Sequence, residues 1–141
     1  MALSGQDATP AAATPASLLV VEDDTQICDL YKLFLQRAGY RVCLAGDGRE
    51  ALRLYQQARE AQNPYDLVMM DLNLPVMDGL TCLGHLSTLD QDVRVLITTG
   101  SPSEDLAASL PNVAGVVSKP VGLKLLLSQI EAALRRPQHR A

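Results

Sequence analysis

The sequence has 141 residues, 48% hydrophobic and 20% charged, with a formal net charge of −4 at pH 7. That length suits one domain, in which roughly 68–70% of the unfolded chain's surface becomes buried, so the core needs no covalent staples. The acidic balance and the 4% aromatic content, with no Trp and one Phe, argue against a nucleic-acid binder, which is normally basic and stacks rings on bases.

Residues 1–16 are rich in Ala, Thr and Pro and read as a disordered tail, because they have too little bulk to offset the entropy of ordering. Leu18–Val21 is a short apolar run, expected as a first strand buried on both faces. Thr25 to Ala38 follows as a helix, with Ile27, Leu30, Tyr31, Phe34, Leu35 and Ala38 on one stripe and Gly39 at its end. Val42–Ala45 is the second strand. Asp47-Gly-Arg-Glu50 resembles a capping box and opens a second helix through about Glu60, before Asn63-Pro64. Leu67–Met70 is the third strand. After Pro75 and Asp78-Gly79 a third helix is expected to about Thr88, with Leu80 and Leu83 inward. Val93–Thr98 is the fourth strand. Ser101-Pro-Ser-Glu104 starts a short fourth helix that stops near Leu110-Pro111. Val113–Val117 is the fifth strand. Val121 to about Arg135 is the last helix, with Leu123, Leu126, Leu127, Ile130 and Leu134 on one side; residues 136–141 form a C-terminal tail.

Strands alternating with helices imply an α/β fold, a doubly wound parallel sheet wrapped on both faces. Five strands in this pattern usually take the order 2-1-3-4-5, with ligands bound beyond the carboxyl ends of strands 1 and 3. Those two ends carry Glu22, Asp23 and Asp24, and Asp71. Like charges about 4 Å apart repel by roughly 4 kcal/mol at an effective dielectric near 20, so the cluster calls for a cation, Mg²⁺ first among hard, oxygen-seeking ions. On the same edge Asn73 follows Asp71, Thr99 and Gly100 follow the fourth strand, and Lys119 precedes Pro120. Acids, a hydroxyl and an ammonium suit phosphoryl transfer onto a carboxylate, with Asp71 as nucleophile and Lys119 as a point charge on the phosphoryl oxygens.

Each residue has a plainer reading. Asp23 or Asp24 caps the first helix; Lys119 alone is a solvated lysine; Thr98 and Thr99 are ordinary strand residues. His85 and His139 read as surface histidines, and Arg135, Arg136 and Arg140 as a helix-end complement with a solvated tail. Cys28, Cys43 and Cys82 are odd in number and contain no C-x-x-C pair, which disfavours a disulfide framework or zinc site and favours a reducing compartment. They read as small core or half-buried residues rather than redox sensors. There is no signal-peptide pattern and no run of membrane-spanning length, so a cytoplasmic location without membrane contact is expected.

Leu-Val-Val-Glu-Asp-Asp at 19–24, Asp-Leu-Val-Met-Met-Asp-Leu-Asn-Leu-Pro-Val-Met-Asp-Gly ending at Gly79, Leu-Ile-Thr-Thr-Gly ending at Gly100, and Ser-Lys-Pro ending at Pro120 resemble the receiver domain of two-component response regulators. The likeness covers residues 17–135, with every motif in order. It implies a flavodoxin-like fold with five helices. It makes Asp71 the phosphoacceptor, charged from a phosphohistidine of a sensor histidine kinase or phosphotransfer protein. It makes Asp23 a direct ligand of Mg²⁺ (or Mn²⁺), Glu22 a ligand through water and Asn73 a donor through its backbone carbonyl. Thr99 becomes the switch hydroxyl, with Thr98 its competitor, and Lys119 the phosphate-binding lysine. Lys119-Pro120 is a candidate cis bond, and Asp24 and Gly100 are further contributors.

Two departures stand out. Val116 occupies the place, three residues before the lysine, where the family usually has an aromatic residue that rotates inward as the threonine moves. Glu22 stands where Asp is common. No effector segment follows the last helix, so the signal is expected to be read by a separate downstream protein, unless the chain is part of something longer. An Asp-nucleophile phosphatase of the haloacid dehalogenase kind wants a second Asp where Asn73 stands. A flavodoxin-type flavin carrier needs a phosphate cradle where Glu22-Asp23-Asp24 would repel one. A phosphorylation-independent scaffold is disfavoured by the intact acids, Asp71 and Lys119, though Val116 keeps it in play.

Overall fold

A computed structural model of the chain describes residues 15–100 and 110–135. Each apolar run forms a strand: β1 (Ser17–Val21), β2 (Arg41–Ala45), β3 (Leu67–Asp71), β4 (Val95–Thr99) and β5 (Val113–Ser118). They pair in one parallel sheet of order β2-β1-β3-β4-β5, the expected order. Every residue of β1, β3 and β4 is buried, as unbroken apolar runs require. Alternate residues face opposite cores. Leu19, Val21, Val68, Met70 and Ile97 pack with Ala51, Tyr55, Cys82, Leu83 and Leu86 on one side. Leu18, Val20, Leu67, Met69 and Leu96 pack with Tyr31, Leu35, Leu126, Ile130 and Ala133 on the other.

Those partners lie on α1 (Thr25–Arg37) and α4 (Leu123–Arg135) on one face, and on α2 (Gly48–Glu60) and α3 (Gly79–Leu89) on the other. Among the described residues there are thus four helices rather than the five expected. The helix expected from Ser101 lies outside them, as do the C-terminal tail and residues 1–14. Three aspartates start helices: Asp24 accepts from the amides of Gln26 and Ile27, Asp47 from Glu50 and Asp78 from Thr81. Glu50 closes the second cap by accepting from Gly46 N–H at 2.8 Å, one residue before the position an ideal capping box uses. Gly39, at φ +101°, ends α1. Its N–H bonds to Gln36 O at 3.0 Å and that of Tyr40 to Leu35 O at 3.1 Å, the paired bonds of a Schellman turn.

Some faces differ from expectation. Leu30 is 50% and Leu80 48% exposed, so neither is a core residue. The buried residues of α1 are Cys28, Tyr31 and Leu35, and those of α3 are Gly79, Cys82, Leu83 and Leu86. In both helices the buried stripe is turned, so that a cysteine enters it on one flank as a leucine two residues away leaves it on the other. The last helix opens at Leu123, two residues later than Val121.

Candidate functional site

Because β1, β3, β4 and β5 are parallel neighbours, their carboxyl ends meet on one edge. Val21 pairs with Met70, Asp71 with Thr98, and Thr99 with Ser118. The residues at these exits, Glu22, Asp71, Thr99 and Lys119, therefore lie side by side. Glu22 is 2% exposed, Asp71 3%, Thr98 2% and Thr99 3%. Asp23 is exposed at the rim.

Lys119 joins the cluster. Its Nζ donates to Asp71 Oδ2 at 2.7 Å and to Glu22 Oε1 at 2.9 Å. The other oxygen of Asp71 accepts the Asn73 N–H at 3.0 Å, so both acceptor atoms of this carboxylate are engaged. Glu22 Oε2 accepts the Asp24 N–H at 3.2 Å, and the Lys119 N–H donates to Thr99 O at 2.8 Å. The Lys119–Pro120 bond is cis. Burial pushes the Glu22 carboxyl above its ordinary value, against the pull of Lys119 and the Asp24 amide. Burial works against the Lys119 ammonium too, but its hydrogen bonds to Asp71 and Glu22 outweigh this and hold it above the usual lysine range.

A divalent cation fits the donor set. One oxygen each from Glu22, Asp23 and Asp71 lie within 4.8 Å of one another. Three carboxylates against one ammonium leave two formal negative charges, which one hard dication offsets. All three donors are oxygens, and the exposed Asp23 leaves the rim open to water.

The family description "response regulator receiver domain" matches residues 18–131. This chain is a response-regulator receiver domain. SphR, the alkaline phosphatase synthesis transcriptional regulatory protein of Synechococcus elongatus, is 38% identical over 138 residues, covering 92% of this chain and 53% of that protein. The transcriptional regulatory protein AfsQ1 of Streptomyces coelicolor is 35% identical over 121 residues, covering 85% of this chain and 52% of that protein. The receiver domain spans about half the length of these curated relatives. Among solved structures, the chemotaxis response regulator CheY4 of Vibrio cholerae superposes with a TM-score of 0.75 at 30% identity, covering 85% of this chain and 99% of that one. A chain of the CheX–CheY–BeF3–Mg²⁺ complex from Borrelia burgdorferi shares the fold, with a TM-score of 0.81 at 22% identity over 89% of this chain and 94% of that one.

Asp24 caps α1, accepting from Gln26 N–H at 2.9 Å and Ile27 N–H at 3.2 Å, so the plain reading holds for it. Gly100 and Pro120 are exposed beside the rim. Val116 packs against the core on the α2 and α3 side. His85 is exposed, and His139 lies outside the described residues. Cys28 has a role that the sequence hid: its buried Sγ donates to Glu22 O at 3.1 Å, bracing the turn that carries the acids. No helix of the described residues is long and apolar enough to cross a membrane.

Proposed function

We propose that this receiver domain takes a phosphoryl group onto Asp71 from the phosphohistidine of a partner kinase or phosphotransfer protein. The observation that carries this reading is the Lys119 ammonium bridging the buried Asp71 and Glu22, with an Asp23 oxygen within 4.8 Å of both acids. Asp23 would hold Mg²⁺ directly, Glu22 through water, and Asp71 and the Asn73 carbonyl would complete the protein's share. The ion supplies charge neutralisation for the carboxylates and for the incoming phosphoryl oxygens.

Asp71 attacks phosphorus with a carboxylate oxygen as the N–P bond breaks, and the electron pair stays on the leaving imidazole, which takes a proton. Lys119 gives up its bond to Asp71 Oδ2 and meets a phosphoryl oxygen. Thr99, last of β4 and tied to Lys119 through its carbonyl, turns its hydroxyl toward the same group. The acyl phosphate adds about −1.5 to −2 charges at this edge, which biases a two-state surface that a downstream protein reads. With Val116 in place of an aromatic residue, that surface responds by backbone movement rather than by ring rotation.

Intact mass after incubation with Mg²⁺ and acetyl phosphate tests the proposal. One phosphoryl group is expected, and none with EDTA present throughout or in Asp71→Asn. Sustained turnover of small phosphate esters would point to the phosphatase instead, and an unmodified wild-type chain to a scaffold.

A further inference from the structure

The segment from Leu72 to Asp78 leaves the phosphoacceptor strand and carries Asn73. Its ends are tied: Leu72 N–H donates to Thr98 O at 3.2 Å, and Gly79 N–H donates back to Leu72 O at 3.1 Å. Its middle is a tight turn in which Met77 N–H donates to Pro75 O at 2.7 Å around Val76, held at φ +70°.

Two glycines lie tight against this loop, one near each end. A Cβ at Gly79 would lie 2.7 Å from Asp71 O, 2.7 Å from Leu72 Cα and 3.0 Å from Leu72 Cδ2. Two of these atoms are backbone, so the loop or the strand end would have to move. A Cβ at Gly48, the first residue of α2, would lie 3.2 Å from both Met77 Cβ and Met77 O and 3.3 Å from Cys82 Cβ. Cys82 Sγ in turn reaches Gly48 O at 3.6 Å, joining α2 to α3 at this point. Neither glycine has a positive φ, so both are required for close approach rather than for conformational freedom.

We infer that Gly79 and Gly48 are positioning residues, which together clamp the Asp71–Asn73 peptide segment at the distance from Glu22 and Asp23 that a divalent cation needs. This rests on the proposed reading of Asp71 and the Asn73 carbonyl as metal donors, and extends it to α2, which contributes no ligand. Metal donors are held by their supporting shell, and misplacing that shell costs affinity without removing a ligand. Gly84 supplies the control. It lies on the same helix as Gly79, and a Cβ there meets nothing within 4 Å.

The test is Mn²⁺ binding to the full chain, read from the electron paramagnetic resonance signal of free Mn²⁺, with thermal unfolding of each protein alongside. Gly79→Ala is expected to raise the Mn²⁺ Kd by about tenfold. Gly48→Ala, whose contacts are tight rather than overlapping, raises it by a smaller factor while unfolding close to the wild-type temperature. Gly84→Ala binds as the wild type does. Should Gly79→Ala fail to fold, Gly48→Ala decides. Wild-type affinity in the folded Gly79 and Gly48 variants, or loss of stability without loss of affinity, would overturn the clamp while leaving the metal site intact. Equal weakening in Gly84→Ala would overturn it too. A wild-type chain whose Mn²⁺ binding is untouched by Asp71→Asn would remove the metal reading itself, and the clamp with it.

Discussion

Replacing Lys119 by Met removes the counter-charge from two carboxylates that are 2% and 3% exposed, while keeping an apolar stem of similar length. Deleting one partner of a buried ion pair costs about 3–5 kcal/mol, because the other charge is left without compensation. The Lys119 side chain is 24% exposed, so water reaches the site and the lower end, about 3 kcal/mol, applies in EDTA. With a urea dependence of about 1–3 kcal/mol per M, the midpoint should fall by roughly 1–3 M. Mg²⁺ at ten times its Kd returns about 1.4 kcal/mol. It should return more in the variant than in the wild type, since the ion then meets three unpaired acids. The pH dependence follows from the shifts. The folded ammonium is held above its unfolded value, so its contribution is complete below the ordinary lysine pKa and is lost only as pH rises through the folded one. At neutral pH the whole effect is therefore present. In the variant it shrinks as pH falls, because the already raised Glu22 carboxyl protonates and no longer needs a partner. Urea melts at neutral and mildly acidic pH, with EDTA and with Mg²⁺, measure all of this. A midpoint equal to wild type in EDTA, or a deficit that grows on acidification, would refute the reasoning.

Val76→Gly should stabilise the domain by about 1 kcal/mol, since a residue with a side chain at positive φ in a γ-turn costs roughly 1–3 kcal/mol, while glycine adopts it freely at an entropy cost of about 0.5–1 kcal/mol. Val76 is 70% exposed, so little burial is lost; an unchanged or lower urea midpoint would show that the turn is not strained. Among the thiols, Cys43 is half-buried whereas Cys28 and Cys82 are buried, and burial pushes the Cys82 thiol up to about 11. At pH 8 iodoacetamide should therefore label Cys43 first, with Cys82 reacting only as pH rises toward its raised value or on unfolding. Peptide mass mapping gives the order, and early labelling of Cys82 would contradict the packing between α2 and α3.

The three central strands were legible because apolar residues in a row, ended by a carboxylate or threonine, leave a buried parallel strand few alternatives, and the alternation with helices then set the order. The cradle was legible because Glu22, Asp71, Thr99 and Lys119 each lie at the carboxyl end of a strand, so topology gathers them. Helix faces were harder. Leu30 and Leu80 lie two residues from Cys28 and Cys82, on the opposite flank of each stripe, and a hydrophobic period cannot tell which flank turns inward when both carry apolar residues. The bond from Cys28 to Glu22, the contacts of Gly48 and the turn at Val76 depend on how far separate backbones approach each other, which no local pattern records. Asp78-Gly79 read as turn punctuation, but the demand on Gly79 comes from the end of β3, not from the turn.

Lys119 reaches Glu22 across 97 positions of sequence and Asp71 across 48. A chain that stopped short of β5 would lack the ammonium between these acids, and would also lack Val117, Leu126, Ile130 and Ala133 from the core beside α1. Long-range contacts of this kind form late, after the entropy of closing the intervening loops has been met. The lysine therefore closes the cradle only once the last strand is in place.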